Sequence, residues 1–197
     1  YAADMRFLID NYIQADSSQR IDPFENQSLL DLIVNTGIAD AIKQLPEGIR
    51  SSKEAVAETI ENNVRQKIIK EHLIDPAYFD EMSKLLKTII EELRQKKLTY
   101  EEYLKKMADL ASRVTNAERY DLPKTIQTPA QRALYHNLDN DEELTLACDE
   151  AVRYTKMTDW KGDERKENII KRALYELLRS ENKVEQIFAV VKEQRDY

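Results

Sequence analysis

The fold is decided by one stretch, Glu54-Ala-Val-Ala-Glu-Thr-Ile-Glu-Asn-Asn-Val-Arg-Gln-Lys-Ile-Ile-Lys-Glu-His72. Its branched apolar residues recur at every fourth position, at Val56, Ile60, Val64 and Ile68. This spacing is typical of the buried face of an amphipathic α-helix. Ser51 and Glu54 have the spacing of a capping box at its start. The stretch therefore predicts a helix that ends near His72 and buries one face.

A group of polar side chains lies roughly opposite this apolar face on a helical wheel. Together with the adjoining Asn63 we name it the polar seam, which consists of Glu58, Glu61, Asn62, Asn63 and Arg65. Glu61 and Arg65 form an i,i+4 pair in the favourable order, worth about 0.2–0.5 kcal/mol at an exposed site. The seam is either an ordinary solvated face or a surface that joins this helix to other helices or to a partner.

The composition favours helices along the whole chain. Of the 197 residues, 34% are charged, and there are only 3 Gly and 5 Pro. So few helix breakers favour helix over strand, and no alternating apolar stretch requires a strand. We therefore expect an all-α fold, a multi-helix array with a central three-helix bundle and no sheet.

Capping signals divide the chain into helices. Ser28 can cap a helix from Leu29 to about Asn35, and Gly37 suits the left-handed position after it. A shorter helix from Ile38 to Leu45 and a loop over residues 46–51 follow. Later helix starts are marked by Asp75-Pro76, Thr99 with Glu102, Thr128-Pro129 with Gln131, and Asn182 with Glu185.

The spacing of these signals predicts the domain organisation. A short break near residues 94–99 favours antiparallel neighbours, so residues 53–114 should pack as a three-helix unit within a helical bundle at 1–115. The pattern lapses at 116–127, where we expect a linker, and a helical subdomain follows at 128–197. Helical periodicity starts at Met5 without a cap, so we expect a helix near 3–15 in a segment of a longer polypeptide.

Several kinds of catalytic site are disfavoured by the residues present. The three glycines stand alone without a following Walker-type lysine, whereas a phosphate-binding loop needs several. His72, His136 and Cys148 lack the spacing of a zinc site. Glu58 and Glu61 are a carboxylate pair one turn apart, without the third ligand that a metal-dependent nuclease needs. We expect no catalytic, cofactor-binding or metal residue in this chain.

Charge and hydropathy limit the environment and the partners. The net charge of −7 disfavours nucleic-acid binding by bulk electrostatics. No apolar run approaches the roughly 18 residues that a membrane span needs. The single cysteine excludes an internal disulfide and is compatible with a reducing cytoplasm, which is the compartment we expect.

A basic group near the end of the chain is the remaining candidate for nucleic-acid contact. Trp160 precedes it, and its members include Arg165, Lys166, Lys171 and Arg172. Interspersed acids such as Glu164 and Glu167 make a solvated face the usual interpretation. Trp160 suits either a packing anchor or a partner contact. These residues are candidates for contact with a partner or DNA.

Two stretches carry more specific signals than helix caps and apolar periodicity. The first is Glu58-Thr-Ile-Glu-Asn-Asn-Val-Arg65, followed by Asp75-Pro-Ala-Tyr78 and Met82-Ser-Lys-Leu-Leu86. The second is Trp160, Lys171-Arg-Ala-Leu-Tyr175, Val184-Glu-Gln-Ile-Phe188 and Lys192-Glu-Gln-Arg-Asp-Tyr197. Over about residues 1–115 and 128–197 the chain resembles the C-terminal helical region of the R (restriction) subunit of type I restriction-modification enzymes, which often ends in such a sequence.

The resemblance implies a non-catalytic domain in a larger enzyme. The parent would be a type I site-specific deoxyribonuclease, an ATP- and Mg²⁺-dependent translocase and endonuclease whose nuclease and motor domains precede this region. Its helical region would pack on the motor and dock the subunit to a core of methyltransferase (M) and specificity (S) subunits. DNA would be reached through that complex. The alternative is a helical module that contacts DNA directly and guides the duplex past the motor.

Overall fold

The computed structural model describes residues 28–116 and 122–197. Within these ranges the chain forms ten α-helices and no strand, so the all-α prediction is confirmed. The helices are α1 Leu29–Thr36, α2 Ile38–Lys43, α3 Glu47–Arg50, α4 Lys53–Glu71, α5 Pro76–Arg94, α6 Tyr100–Thr115, α7 Pro129–Asn137, α8 Glu142–Thr155, α9 Glu164–Leu178 and α10 Glu181–Glu193. The helix expected at 3–15 and residues 117–121 of the expected linker lie outside the described residues.

Side-chain caps fix where most of the helices begin. Reciprocal capping boxes precede three of them, Ser28 with Asp31 before α1, Thr99 with Glu102 before α6 and Thr128 with Gln131 before α7. Asp75 accepts a hydrogen bond from the Tyr78 amide and caps α5, with Pro76 in its first turn. Such caps satisfy backbone N–H groups that have no partner within the helix.

Two of the predicted caps are wrong. Ser52, not Ser51, caps α4, because the unpredicted turn α3 holds Ser51 in a helical conformation at φ −72° and ψ −15°. Ser180, not Asn182, caps α10. Arg179 ends α9 in the left-handed conformation at φ 53° and leaves Ser180 extended as the first residue outside the helix. Gly37 has the expected positive φ of 88°, but its ψ of 154° lies outside the left-handed helical region.

The first hydrophobic cluster lies between α1, α4, α5 and α6. The predicted apolar face of α4 is buried, with Ile60 and Val64 fully inaccessible (0%). Tyr103, Met107 and Leu110 of α6 are equally inaccessible and face it. Helices α4, α5 and α6 pack on one another as the predicted three-helix unit, and α1 packs on both α6 and α4 as a fourth helix around this core. Each fully buried Ile or Met side chain contributes about 1.5–3 kcal/mol to folding.

A second hydrophobic cluster lies between α7, α8, α9 and α10. Its buried members include Leu134, Cys148, Ile170, Leu174 and Val191. Residues 194–197, which follow α10, make polar contacts with the helices of this cluster. The Asp196 carboxylate accepts from the Ala130 amide at 2.9 Å, and the Tyr197 hydroxyl donates to the buried Asp149 carboxylate at 2.6 Å. The division into two subdomains with a linker at 116–127 stays a prediction.

Polar contacts join the two clusters at the turn between α4 and α5. Asp75 accepts from His136 at 2.5 Å and from Asn137 at 2.8 Å, both at the end of α7. The Gln194 amide donates to the Ile74 carbonyl at 2.8 Å. The His136 ring stacks on Tyr78 with a centroid separation of 5.0 Å. This junction fixes the end of α4, which also carries the candidate site, against the second cluster.

Candidate functional site

The polar seam divides into inward-facing and outward-facing residues because α4 buries only one side. Glu61 and Asn63 are half-buried, whereas Glu58, Asn62 and Arg65 are exposed. Asn63 donates to the Thr59 carbonyl of its own helix at 2.8 Å. The seam is therefore not one continuous contact surface.

Glu61 faces into the bundle and binds α6. Its carboxylate accepts a hydrogen bond from the Tyr103 hydroxyl at 3.0 Å, and that hydroxyl also lies 3.3 Å from the Ala57 carbonyl. Burial raises the pKa of Tyr103 well above its ordinary range, and the negative charge of Glu61 raises it further. Tyr103 therefore stays protonated and acts as a donor from α6 to α4.

The prediction of an ion pair between Glu61 and Arg65 is wrong. Among the described residues, no ion pair or hydrogen bond joins these two side chains. Glu61 turns towards Tyr103, while Arg65 extends from the exposed side of the helix. An exposed pair of this kind contributes at most a few tenths of a kcal/mol, so the partly buried bond to Tyr103 prevails.

Two exposed apolar side chains continue the outward-facing part of the seam. Ile69 is 68% exposed and Leu73 is 65% exposed. Residues three or four apart lie on one side of a helix, so Ile69 follows Asn62 and Arg65 along the same side, and Leu73 comes next in the turn directly after α4. We name this surface the α4 face, consisting of Glu58, Asn62, Arg65, Ile69 and Leu73. It presents an acid, an amide and a base, and then an apolar end.

A cavity of about 310 Å³ lies beside the apolar end of the α4 face. It is lined by Ile68, Ile69, His72, Leu73, Asp80 and Ser83. His72 and Asp80 form a pair at 2.9 Å on its rim. The cavity has the size and the apolar lining to receive a side chain of a partner, with polar groups at its edge.

Ile69 and Leu73 were not predicted to be exposed, although the sequence contains a signal for Ile69. The buried stripe ends at Ile68, so Ile69 stands 100° away from the core direction on the helix. On a helix whose other side is polar, an apolar residue that lies outside the buried stripe is expected to be exposed to solvent. The contact between Glu61 and Tyr103 has no local signal in the sequence, because the two residues are 42 positions apart.

The basic group near α9 is not brought together as one surface. Trp160 is only 3% exposed, and its ring meets Phe188 edge-on at a centroid distance of 5.9 Å. Lys166 donates to the Thr158 carbonyl at 2.8 Å, and Lys171 pairs with Glu185 at 2.7 Å. Trp160 is therefore a packing anchor, and both lysine side chains bind other groups of the same chain.

Arg165 and Arg172 are the exposed members of the basic group. They stand seven residues apart on α9, so both point to one side of that helix. Neither guanidinium has a hydrogen bond or ion pair with another described residue. These two arginines are the part of the predicted set that remains open to a partner.

The described residues contain no group of three or more His, Cys, Asp or Glu side chains that could hold a metal ion. Glu58 and Glu61 diverge, since one is exposed and the other faces Tyr103. His136 and Cys148 lie in different surroundings, at the junction and in the second core. No helix in the part of the chain that the structure describes is long and apolar enough to cross a membrane.

Comparison with known proteins gives no match: no protein-family model, no curated protein and no solved structure is significantly similar to this chain.

Proposed function

We propose that this chain is a non-catalytic helical assembly domain from the C-terminal region of a type I restriction R subunit. In this proposal it packs on the motor domains of the parent ATP-dependent translocase and endonuclease, and it docks that subunit to the methyltransferase core of the R–M–S complex. The support from sequence is the resemblance of residues 58–65, 75–86 and 160–197 to that family region.

The α4 face is the structural observation that carries the proposal. Ile69 of α4 and Leu73 in the turn after it expose most of their surface to solvent, while the other residues of α4 are polar or at least partly buried. Apolar residues that stand together at a surface are a common feature of protein interfaces, whose cores are apolar and whose rims are polar. Glu58, Asn62 and Arg65 supply such a rim on one side, and the His72–Asp80 pair supplies it on the other.

Because some residues of the polar seam face inward and others outward, they have different roles in this proposal. Glu61 holds α4 to α6 through Tyr103, so it maintains the shape of the face without touching a partner. Arg65 and Glu58 carry opposite charges two turns apart, which fixes the register in which a partner can approach. In this scheme the motor and nuclease chemistry belongs to other parts of the parent subunit, and this domain supplies attachment.

The test is a binding measurement between the R subunit containing this domain and the methyltransferase core. We expect Ile69→Asp with Leu73→Asp to weaken binding at least tenfold, because loss of a central apolar contact costs about 2 kcal/mol or more. Arg65→Glu should weaken it less and reduce its rate of association. Tyr154→Asp is the control for introducing an acid at an apolar exposed site, since Tyr154 is 91% exposed on α8.

The same measurement decides the proposal. Lys87→Glu, at an exposed position of α5, controls for the charge change of Arg65→Glu and should leave affinity unchanged. Failure of the unmodified subunit to bind the core would overturn the assembly function itself. Equal affinities of the Ile69/Leu73 variant and the unmodified subunit, with normal circular dichroism, would remove the α4 face from the docking surface.

A second candidate function rests on Arg165 and Arg172. Two exposed arginines on one side of α9 suit contact with duplex phosphates, whose binding falls steeply with salt. Fluorescence anisotropy with duplex DNA at low salt tests this function. Binding that is lost in Arg165→Glu with Arg172→Glu would favour it, whereas absence of binding in the unmodified chain would exclude direct DNA contact by this domain.

A further inference from the structure

The 194–197 segment, after α10, places two neighbouring side chains on a surface formed by α7 and α8. The Asp196 carboxylate accepts a hydrogen bond from the Ala130 amide at 2.9 Å, and the Tyr197 hydroxyl donates to the Asp149 carboxylate at 2.6 Å. Lys156, at the end of α8, donates to the Asp196 carbonyl at 3.3 Å. We name this surface the α7–α8 site, which consists of Ala130, Gln131, Asp149, Arg153 and Lys156.

The part of the site that receives the tyrosine distinguishes a phenol from other side chains. Asp149 is 5% exposed, and a carboxylate only accepts hydrogen bonds, so it selects a side chain that donates. The Tyr197 ring centroid lies 5.3 Å from the Arg153 guanidinium and 5.9 Å from the Lys156 ammonium. Cations at such distances over a ring attract it. The site therefore binds both the hydroxyl and the ring of a tyrosine, whereas phenylalanine offers only the ring.

The part of the site that receives the aspartate is the start of α7. The Ala130 amide lies in the first turn, where N–H groups have no partner within the helix. Thr128 caps the Gln131 amide, so the Asp196 carboxylate binds the neighbouring donor. The positive end of the helix dipole favours a carboxylate at this place. The two parts of the site together fit an acid that is directly followed by a tyrosine.

The α7–α8 site is held together by its own helices, independently of the 194–197 segment. Arg153 Nε lies 3.0 Å from each oxygen of the Asp149 carboxylate, and Gln131 donates to Oδ2 at 2.8 Å. Gln131 is itself fixed by its capping box with Thr128. The buried carboxylate therefore keeps a cationic partner and a second donor when Tyr197 leaves, which avoids the cost of an unpaired buried charge. The site keeps its groups in place for another ligand of the same chemistry.

We propose that the α7–α8 site is a peptide-binding site for an aspartate–tyrosine pair, which residues 196 and 197 of the same chain occupy as a tethered ligand. The partner that it fits is a polypeptide presenting this pair in an extended segment, the conformation in which the chain leaves α10 at Gln194. A ligand on a short tether acts at an effective concentration on the order of millimolar, so such a partner competes with the chain's own residues. This site goes beyond the proposed docking function and shares no residue with the α4 face.

The test is fluorescence anisotropy of a labelled peptide with the sequence of residues 192–197, Lys-Glu-Gln-Arg-Asp-Tyr. It is titrated with the full 197-residue chain and with the double variant Asp196→Ala with Tyr197→Ala. We expect the double variant to bind the peptide at least about tenfold more tightly, because the tethered ligand no longer competes. A peptide with phenylalanine in place of the tyrosine should bind the double variant about tenfold more weakly, since a hydrogen bond to a charged group is lost.

Arg195→Ala is the matched control, because Arg195 is exposed in the same segment but lies outside the pair, and it should bind the peptide as weakly as the unmodified chain. Equal affinities of the double variant and the unmodified chain would overturn the proposal, and so would a double variant that binds no peptide. Should the double variant fail to fold by circular dichroism, Tyr197→Phe loses only the bond to Asp149 and should still bind the peptide more tightly than the unmodified chain. No methyltransferase core is present, so this site and the proposed function are tested separately.

Discussion

The Tyr103 hydroxyl on α6 donates a hydrogen bond to the Glu61 carboxylate on α4 across 3.0 Å. The tyrosine side chain is completely inaccessible, whereas Glu61 is half-buried. The bond therefore joins the centre of the first core to the edge of the α4 face. It explains how a polar residue of the seam can belong to the bundle while its neighbours along the helix point to solvent.

Removal of the Tyr103 hydroxyl should destabilise the fold without creating a cavity. Tyr103→Phe should lower the free energy of unfolding by about 1–2 kcal/mol, since a hydrogen bond to a charged group is lost and Glu61 is partly accessible to water. Urea denaturation measures the change. Glu61→Gln keeps an acceptor at the same place and should cost less. An unchanged midpoint for Tyr103→Phe would show that the bond contributes nothing to stability.

Cys148 should be unreactive in the folded chain. The thiol is fully buried, and burial raises its pKa to about 11. Since the thiolate is the reactive form, Ellman's reagent at about pH 8 should label the folded chain only at the rate of its opening, and label it completely in urea. Cys148 is the only cysteine, so the signal has one source. Rapid labelling of one thiol per folded chain would contradict this burial.

Trp160 should behave as a core residue of the second cluster. Trp160→Ala should cost about 3–5 kcal/mol, as for other large buried aromatic residues. Trp160→Phe should cost much less, because the indole N–H is buried without a hydrogen-bond partner in the described structure and phenylalanine has no such group. Urea denaturation followed by circular dichroism compares the two variants. A larger loss for Phe than for Ala would be incompatible with this packing.

Stability should fall in alkaline solution. Burial raises the pKa of Tyr103, Tyr197 and Cys148 above their ordinary values of 10.0 for tyrosine and 9.0 for cysteine. The folded chain therefore keeps protons that the unfolded chain loses, so the free energy of unfolding decreases as the pH rises above about 9. The urea midpoint at about pH 8 should exceed that at about pH 10.5.

A double variant isolates the tyrosine contribution to this pH dependence. In Tyr103→Phe with Tyr197→Phe the decrease between the two pH values should be smaller than in the unmodified chain, although the variant is less stable at both. The tyrosine hydroxyls each bind a carboxylate, Glu61 and Asp149 respectively. A midpoint that rises towards alkaline pH in the unmodified chain would be the wrong sign for these buried groups.

Local sequence signals predicted most of the helices. Asp75-Pro76, Thr99 with Glu102 and Thr128 with Gln131 begin helices as expected, because a cap depends on residues within one turn of it. The two wrong caps arose where a neighbouring turn changed which residue is extended and can cap the helix. The turn α3 did this before α4, and the left-handed Arg179 did it before α10.

The candidate site was predictable only in part. The exposed positions of Glu58, Asn62 and Arg65 follow from the helical wheel, since the core stripe fixes which side of α4 is outside. The inward turn of Glu61 does not, because it depends on Tyr103, which comes close only after α4 and α6 have packed. The contacts of Asp75 with His136 and Asn137 likewise span about sixty residues and leave no local trace in the sequence.

The bond from Gln194 to the Ile74 carbonyl spans 120 residues of sequence. The buried members of the first cluster in the described structure all come from residues 29–114, so that core needs nothing from the later part of the chain. During synthesis on a ribosome it can close while α7 to α10 are still absent. The Ile74 carbonyl then gains its partner only after residue 194 has emerged, whereas His136 and Asn137 become available to Asp75 earlier, so the contacts of the junction can form in the order of the chain.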